Sequence, residues 1–288
     1  GTSPKYLSLI EKNGLVPKEE YKLKKLKTIL STGSPLSEEN YTWVYKNVKE
    51  DILLSSISGG TDIISCFMLG CPIIEVYAGE IQCRGLGMKV EAWDENGNQL
   101  IEQKGELVCT APFPSRPIYF WNDDGSKYQD AYFNYFPSIW RHGDYIKITC
   151  TGGVIVYGRS DATLNPGGIR IGTAEIYRVV ESLDEINDSL VVGRSLNNDV
   201  EVILFVVLKQ GIIFGEELIR KIKNEIRKEN SPRHVPDKII EIKEVPYTIS
   251  GKKVEIAVSK ILNGEKVDNR EALSNPNSLD QFYLIDTD

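Results

Sequence analysis

The sequence predicts an α/β segment followed by a separate α+β module. Three observations predict it. Residues 26–58 carry a strand–helix–strand pattern, residues 75–157 carry short strands separated by turn signals, and a mixed pattern of strands and helices follows Gly158-Arg159-Ser160-Asp161. A length of 288 residues suits about two domains. The expected division is 1–160 and 161–288.

The first segment opens on a helical spacing, Tyr6, Leu7 and Ile10. It starts at Gly1 without a methionine, which reads either as the middle of a longer protein or, for Gly1-Thr2-Ser3, as a tag scar. Residues 26–31 read as a strand that stops at Thr32-Gly33-Ser34-Pro35. Ser37 is placed to cap a helix through about Val48, with Trp43, Val44 and Val48 at helical spacing. Residues 51–58 read as a second strand, ending in Gly59-Gly60-Thr61-Asp62. A crossover helix makes its two strands parallel. Both turns then fall at the carboxyl ends of neighbouring strands, the edge where open α/β sheets bind ligands.

Further along, residues 88–93 alternate, turn at Asp94-Glu95-Asn96-Gly97 and return toward Leu100, and residues 105–109 follow as a strand. Residues 145–149 and 154–157 flank Gly152-Gly153 as a hairpin. The expectation is a small antiparallel β-barrel or curved sheet. In the α+β module, residues 173–183, 215–228 and 254–262 read as helices, the second with Leu218, Ile219, Ile222 and Ile226 on one face. Residues 189–192, 200–208 and 238–242 read as strands, and residues 264–280, polar with one proline, as a loosely held tail.

Composition narrows the function classes. Hydrophobic residues at 41% and charged residues at 26% are the ordinary globular balance. A formal net charge of -7 argues against nonspecific binding to nucleic acid or an anionic membrane. The longest apolar stretch, residues 63–74, is broken by Ser65, Gly70 and Pro72 and falls short of the roughly 20 residues that span a bilayer. The cysteines (Cys66, Cys71, Cys83, Cys109 and Cys150) form no C-x-x-C pair, and only His142 and His234 offer imidazole, which argues against zinc. Each cysteine reads as a small buried hydrophobe. Their odd number without a framework spacing suits a reducing cytoplasm.

Four short segments offer chemistry. Ser31-Thr32-Gly33-Ser34-Pro35 and Ser58-Gly59-Gly60-Thr61-Asp62 present hydroxyls and backbone N–H groups suited to phosphate or an adenine edge. His142-Gly143-Asp144 sets a carboxylate after a glycine, where it can accept both hydroxyls of a ribose. Ser250-Gly251-Lys252-Lys253 sets a lysine on a glycine turn that opens a helix. Each alone also reads as a surface turn.

In this order, with Gly158-Arg159-Ser160-Asp161 and Gly167-Gly168-Ile169-Arg170 between them, the segments resemble the acyl-adenylate-forming superfamily of acyl-CoA synthetases, luciferases and peptide-synthetase adenylation domains. The resemblance runs from Gly1 to about Leu262. Residues 158–177, GRSDATLNPGGIRIGTAEIY, are similar to the acetyl-CoA synthetase branch, and LSTGSPLS with SGGTD to the acetoacetate-specific ligases. It implies that residues 1–160 are the C-terminal part of a large AMP-binding domain and residues 161–288 a small mobile lid domain. It also implies a two-step reaction. A carboxylate, here acetoacetate, attacks the α-phosphate of ATP to give acyl-AMP and diphosphate, and the thiol of coenzyme A then attacks the acyl carbon.

Roles follow from the same resemblance. Gly33, Ser34 and Pro35 match the adenine-stacking loop, and Ser58, Gly59 and Gly60 lead to Thr61, which matches the threonine that meets the α-phosphate. Asp62 stands where the family usually has Glu as Mg2+ ligand, and is one methylene shorter. Asp144 matches the ribose-binding aspartate. Arg159 matches an arginine that reaches the ribose or phosphate, a surface ion pair being the other reading. Lys252 matches the adenylation lysine, whose ammonium offsets repulsion between two anions. Lys253 reads as solvated. Asp161 matches the interdomain hinge, and Gly168 and Arg170 a second face of the lid that meets coenzyme A, with Arg170 also near the nucleotide. Arg227 matches an arginine at the nucleotide end of coenzyme A, although a basic residue there also suits the helix dipole. Gly59 stands where acetyl-CoA synthetases close the acyl pocket with tryptophan. Its small size implies a wider pocket, and a change of acyl class is expected.

The superfamily's diphosphate-gripping loop has no counterpart in the chain. The expectation is that the remainder of an N-terminal domain partners these residues, and that the 288 residues alone do not adenylate. Another short- or medium-chain ligase of the superfamily and a non-catalytic nucleotide-binding module are the alternatives.

Overall fold

The computed structural model describes residues 1–166, 171–196, 199–249, 251–267 and 269–285. The chain divides into two compact units, Gly1–Tyr157 and Gly158–Asp288.

In the first unit, Ser3 caps α1 (Pro4–Lys12) by accepting from the Tyr6 N–H, and α2 (Pro17–Glu20) is a single turn. The parallel pair β1 (Thr28–Ser31) and β2 (Leu53–Ser56) ends on Ser31 opposite Ser56. Thr2 adds a parallel bridge to Ser31. Between the strands lies α3 (Glu38–Asn47), which Ser37 caps by accepting from the Asn40 N–H. Tyr41 and Val44 of α3 pack with Leu7, Leu36 and Leu54 into one core.

The sequence predicts a strand through Ser58 and a turn at Gly59-Gly60-Thr61-Asp62; the structure has β3 (Ser58–Gly60) there, antiparallel to β4 (Ser65–Leu69). The two glycines make this possible. A Cβ at Gly59 would stand 2.0 Å from the Ser65 carbonyl oxygen. β4 pairs in turn with β5 (Cys83–Arg84).

A third sheet takes β6 (Val90–Trp93), β7 (Gln99–Leu100), β8 (Lys104–Cys109), β9 (Trp140–Ile148) and β10 (Val154–Arg159). Its order is β10-β9-β8-β6-β7. That order has two ends, so among the described residues the expected barrel is an open sheet, with Ile81 bridging to Val154 on the β10 side. α4 (Ser126–Tyr132) starts where the Asp123 carboxylate accepts from the Lys127 and Tyr128 N–H groups. Of the cysteines, only Cys109 is fully buried, and Cys150 is exposed between β9 and β10.

The second unit holds α5 (Thr173–Val180), β11 (Ile186–Leu196), β12 (Asp199–Leu208), α6 (Glu216–Glu229), β13 (Lys238–Glu241) and α7 (Glu255–Leu262). β11 and β12 are antiparallel, and β12 and β13 parallel. Period-two alternation splits β12 between two cores. Val202, Leu204 and Val206 pack with Ile176 of α5 and Ile222 of α6, while Ile203 and Phe205 pack with Val258 of α7. β11 runs past Val192 because its polar end is held by an ion pair, Arg194 to Glu201 at 2.7 Å across the hairpin.

The predicted loose tail is instead part of the second core. A 3₁₀ helix, Pro276–Tyr283, buries Leu279 and Phe282, and the Phe282 ring meets Phe205 edge-on with centroids 5.0 Å apart. Residues three apart share one face of a 3₁₀ helix, so two apolar side chains suffice to dock a polar segment. No helix among the described residues is long and apolar enough to cross a membrane.

Candidate active site

Beyond the last paired residues of β1 and β2, the chain leaves the sheet at two places. After Ser31, Thr32-Gly33-Ser34-Pro35 is exposed. Gly33 has φ 104°, a left-handed value that glycine takes without strain. After Ser56, the Ile57 N–H donates to the Ser31 carbonyl at 2.9 Å and starts β3 beside the end of β1. Gly33, Ser34 and Pro35 therefore follow one strand end, and Ser58, Gly59 and Gly60 its neighbour. Thr61 and Asp62 come next and are exposed.

His142-Gly143-Asp144 lies inside β9, where it forms a bulge. Glu106 pairs with Tyr145 but Val108 with Arg141, so two steps along β8 face four along β9. Gly143 takes φ 83° to absorb the extra residues. A bulge re-aims side chains. Here His142 and Asp144 are both buried, with Nε2 of His142 3.7 Å from Oδ2 of Asp144.

Gly60 brings the two segments together. A Cβ there would stand 1.9 Å from Oδ1 of Asp62 and 3.0 Å from Cε1 of His142. The Asp62 carboxylate and the His142 ring thus fill the space beside Gly60 that any other residue would occupy. Phe67 of β4 holds the imidazole from the core side, ring centroids 4.7 Å apart. The Tyr132 hydroxyl of α4 donates to Oδ2 of Asp62 at 2.6 Å. Gly60, Asp62 and Asp144 are therefore one cluster, joined through His142. At Gly59 the β4 backbone crowds the Cβ position, with the Ser65 carbonyl oxygen 2.0 Å away. Glycine there serves strand pairing.

A Mg2+ ion fits this donor set through one hard carboxylate oxygen, Asp62 Oδ1. No group of three or more His, Cys, Asp or Glu among the described residues could enclose an ion. Such a site suits Mg2+, which keeps waters and takes further oxygens from substrate phosphates.

In the second unit, Arg159 and Asp161 form a two-point ion pair, Nε to Oδ1 at 3.0 Å and Nη2 to Oδ2 at 2.7 Å. The nucleotide arginine and the hinge aspartate expected from the sequence thus hold each other. Arg227 is exposed near the end of α6, its Nη1 donating to Asn224 at 3.4 Å. Gly168 and Arg170 lie outside the described residues, as does Ser250.

Lys252 is exposed just past Gly251, whose φ is 79°. The Thr248 N–H donates to the Lys252 carbonyl at 2.8 Å, and the Lys252 N–H to Oγ1 of Thr248 at 3.0 Å, so a tight hairpin carries the lysine. α7 starts only at Glu255, after Tyr247 and Lys253 have paired as a β-bridge.

Lys253, expected to be solvated, is largely withdrawn from solvent, its side chain 16% exposed. Its ammonium contacts Glu181, the Ser189 carbonyl and, at 3.3 Å, Oδ1 of Asp188. It also lies 3.9 Å from the centre of the Tyr177 ring. Burial works to lower its pKa, but Glu181 and Asp188 outweigh burial and hold it above the ordinary lysine value. Burial first, and then Asp188, push the Tyr247 hydroxyl up; burial and Glu255 do the same to Tyr177. A sequence run of two lysines gives no sign of which one turns inward. Tyr132 was equally hidden, although Asp123-Asp124-Gly125 followed by Tyr128 and Tyr132 four residues apart is a helix-start signal.

The profile of the AMP-binding enzyme C-terminal domain matches residues 175–252. An acetoacetyl-coenzyme A synthetase of Rhizobium meliloti is 52% identical over 283 residues, 98% of the chain and 44% of that protein. The acetoacetyl-CoA synthetase of Mus musculus is 52% identical over 289 residues, 99% of the chain and 43% of that protein. In structure, acetoacetyl-CoA synthetase from Streptomyces lividans superposes with a TM-score of 0.89 at 41% identity, over 98% of the chain and 44% of that protein. An anthranilate CoA ligase solved with anthranoyl-AMP shares the fold at 18% identity, TM-score 0.74, over 91% of the chain and 49% of that protein. The chain spans less than half the length of the curated relatives it matches. By this likeness along nearly its whole length, the chain belongs to the acetoacetyl-CoA synthetase family of AMP-binding enzymes.

Proposed function

We propose that these residues serve an acid–CoA ligase that converts acetoacetate, ATP and coenzyme A to acetoacetyl-CoA, AMP and diphosphate. The observation that carries the reading is the cluster of Gly60, Asp62, His142 and Asp144 at the carboxyl edge of the parallel strands. Asp144, set by the β9 bulge, accepts the ribose hydroxyls. The Gly33-Ser34-Pro35 loop lies against adenine, and the Thr61 hydroxyl donates to the α-phosphate. Asp62 holds Mg2+, which when bound offsets phosphate charge.

In the first step an acetoacetate oxygen bonds to the α-phosphorus and the bond to diphosphate breaks. Lys252, on its exposed hairpin, offsets the charge that builds between the two anions. In the second step the coenzyme A sulfur, its proton lost, bonds to the acyl carbon and AMP leaves. The small unit moves between steps about Asp161, with Arg159 exchanging its ion pair with Asp161 for the nucleotide. Gly168, Arg170 and Arg227 then face coenzyme A. Free thiols on all five cysteines suit a cytoplasmic setting.

The test is nucleotide binding and substrate choice in the full-length protein. Asp144→Ala should weaken ATP binding tenfold or more, about 1.4 kcal/mol and the scale of hydrogen bonds to a charged group. Acetoacetate should support diphosphate exchange better than acetate or a medium-chain acid. Unchanged ATP affinity, or ATP binding without exchange on any acid, would contradict the reading.

A further inference from the structure

Two residues form the base of the hairpin that carries Lys252: Tyr247 on the incoming side and Lys253 on the outgoing side, paired as an antiparallel bridge. Both end on one carboxylate. The Tyr247 hydroxyl donates to Asp188, 3.0 Å from Oδ1 and 2.9 Å from Oδ2, and the Lys253 ammonium lies 3.3 Å from Oδ1. Asp188 belongs to β11, in the central sheet of the unit. Lys253 adds a second fixed point on the Ser189 carbonyl and a third on Glu181, the C-cap residue of α5. Ser189 Oγ donates to the same Glu181 oxygen at 2.9 Å, so that carboxylate is itself oriented.

Burying an ammonium is costly, and an apolar side chain of similar length often serves stability as well. What the ammonium adds here is direction, because its partners are a carboxylate, a carbonyl and a second carboxylate at fixed angles around one nitrogen. Neighbouring side chains in extended backbone point to opposite faces. With Lys253 drawn inward, Lys252 is turned outward, and it is exposed. The turn above the base is tied to the following segment: the Ile249 N–H donates to the Ala272 carbonyl at 3.0 Å, and Thr248 bridges Leu273.

We propose that Lys253 and Asp188 form a clamp that fixes the base of the 247–253 hairpin, making Lys253 a positioning residue for the delivery of Lys252 in acyl-adenylate formation. The inference rests on the proposed function, in which Lys252 acts in the first half-reaction only. The clamp touches no substrate. It sets where residue 252 starts, and a shift of about 1 Å in a reacting group costs up to about 100-fold in rate.

The experiment separates the half-reactions in the full-length protein. Acetoacetate-dependent diphosphate exchange reads the first, and acetoacetyl-CoA formation from preformed acetoacetyl-AMP reads the second. The variants are Lys253→Met, its charge-balanced companion Lys253→Met with Asp188→Asn, and Lys253→Arg. Lys252→Ala is the control. The expected result is a loss of exchange on the order of 10- to 100-fold in the two Met variants with the second half-reaction within about threefold of the parent, and partial recovery in Lys253→Arg. Equal losses in both halves, from misfolding or otherwise, overturn the positioning role, as does parental exchange in the Met variants. If Lys252→Ala itself exchanges at the parental rate, the functional reading fails first, and the clamp's role in adenylation goes with it.

Discussion

The Tyr132 hydroxyl donates to Oδ2 of Asp62 across 2.6 Å, and the same ring is stacked on Trp140 with centroids 3.6 Å apart and planes within 16°. The stack fixes the phenol, and the phenol fixes one oxygen of an otherwise exposed carboxylate. The other oxygen, Oδ1, sits beside Gly60. An aspartate reaches one methylene less far than a glutamate, so its direction matters more.

Tyr132→Phe removes the hydrogen bond and leaves the stack. A bond of this kind contributes about 1 kcal/mol, so Mg·ATP should bind roughly fivefold more weakly by calorimetry, with the melting temperature almost unchanged. Unaltered Mg·ATP affinity would show that Tyr132 does not orient the ligand.

Much of the fold was legible in the sequence because periodicity and turn chemistry are local. The β1–α3–β2 unit follows from the Ser37 cap and from the spacing of Trp43 and Val44, and its parallel register follows from the crossover. The β9 bulge was not legible. His142-Gly143-Asp144 reads as a turn unless the pairing of Val108 with Arg141 is known, and that pairing is long-range. Lys253 failed for a similar reason: its partners, Glu181 and Asp188, are more than sixty residues away in the chain. Gly59 carries a second constraint that the sequence does not show, the Ser65 carbonyl oxygen against its Cβ position.

The tail offers a prediction on stability. Phe282 is 2% exposed and lies edge-on to Phe205. Phe282→Ala should cost about 3–5 kcal/mol of unfolding free energy, measured by urea titration of the transition that reports on residues 158–288. A loss below about 1 kcal/mol would return the tail to the loosely held state that its polar composition suggests.

Alkaline pH should loosen the clamp. Lys253 and Tyr247 both have pKa values raised above their ordinary 10.5 and 10.0. Facing them are Glu181, Asp188 and Glu255 together with Tyr177. A raised value means that the folded state holds the proton more tightly than the unfolded chain does. Their contribution is therefore fully present below about pH 10 and is lost as pH rises through the higher folded values. Unfolding followed from pH 8 to 11 should show falling stability above pH 10, with a shallower fall in Lys253→Met. A variant as steep as the parent would show that Lys253 does not carry the alkaline loss.

The exposed ammonium at residue 252 is the group proposed to act on the bond-forming step between acid and nucleotide. Lys252→Ala in the full-length protein, assayed by acetoacetate-dependent exchange of labelled diphosphate into ATP, tests it most directly. The expected result is a fall on the order of 100-fold or more, the scale of one lost charge contact to a transition state, while thioester formation from supplied acetoacetyl-AMP stays close to the parent. Exchange at the parental rate would contradict it.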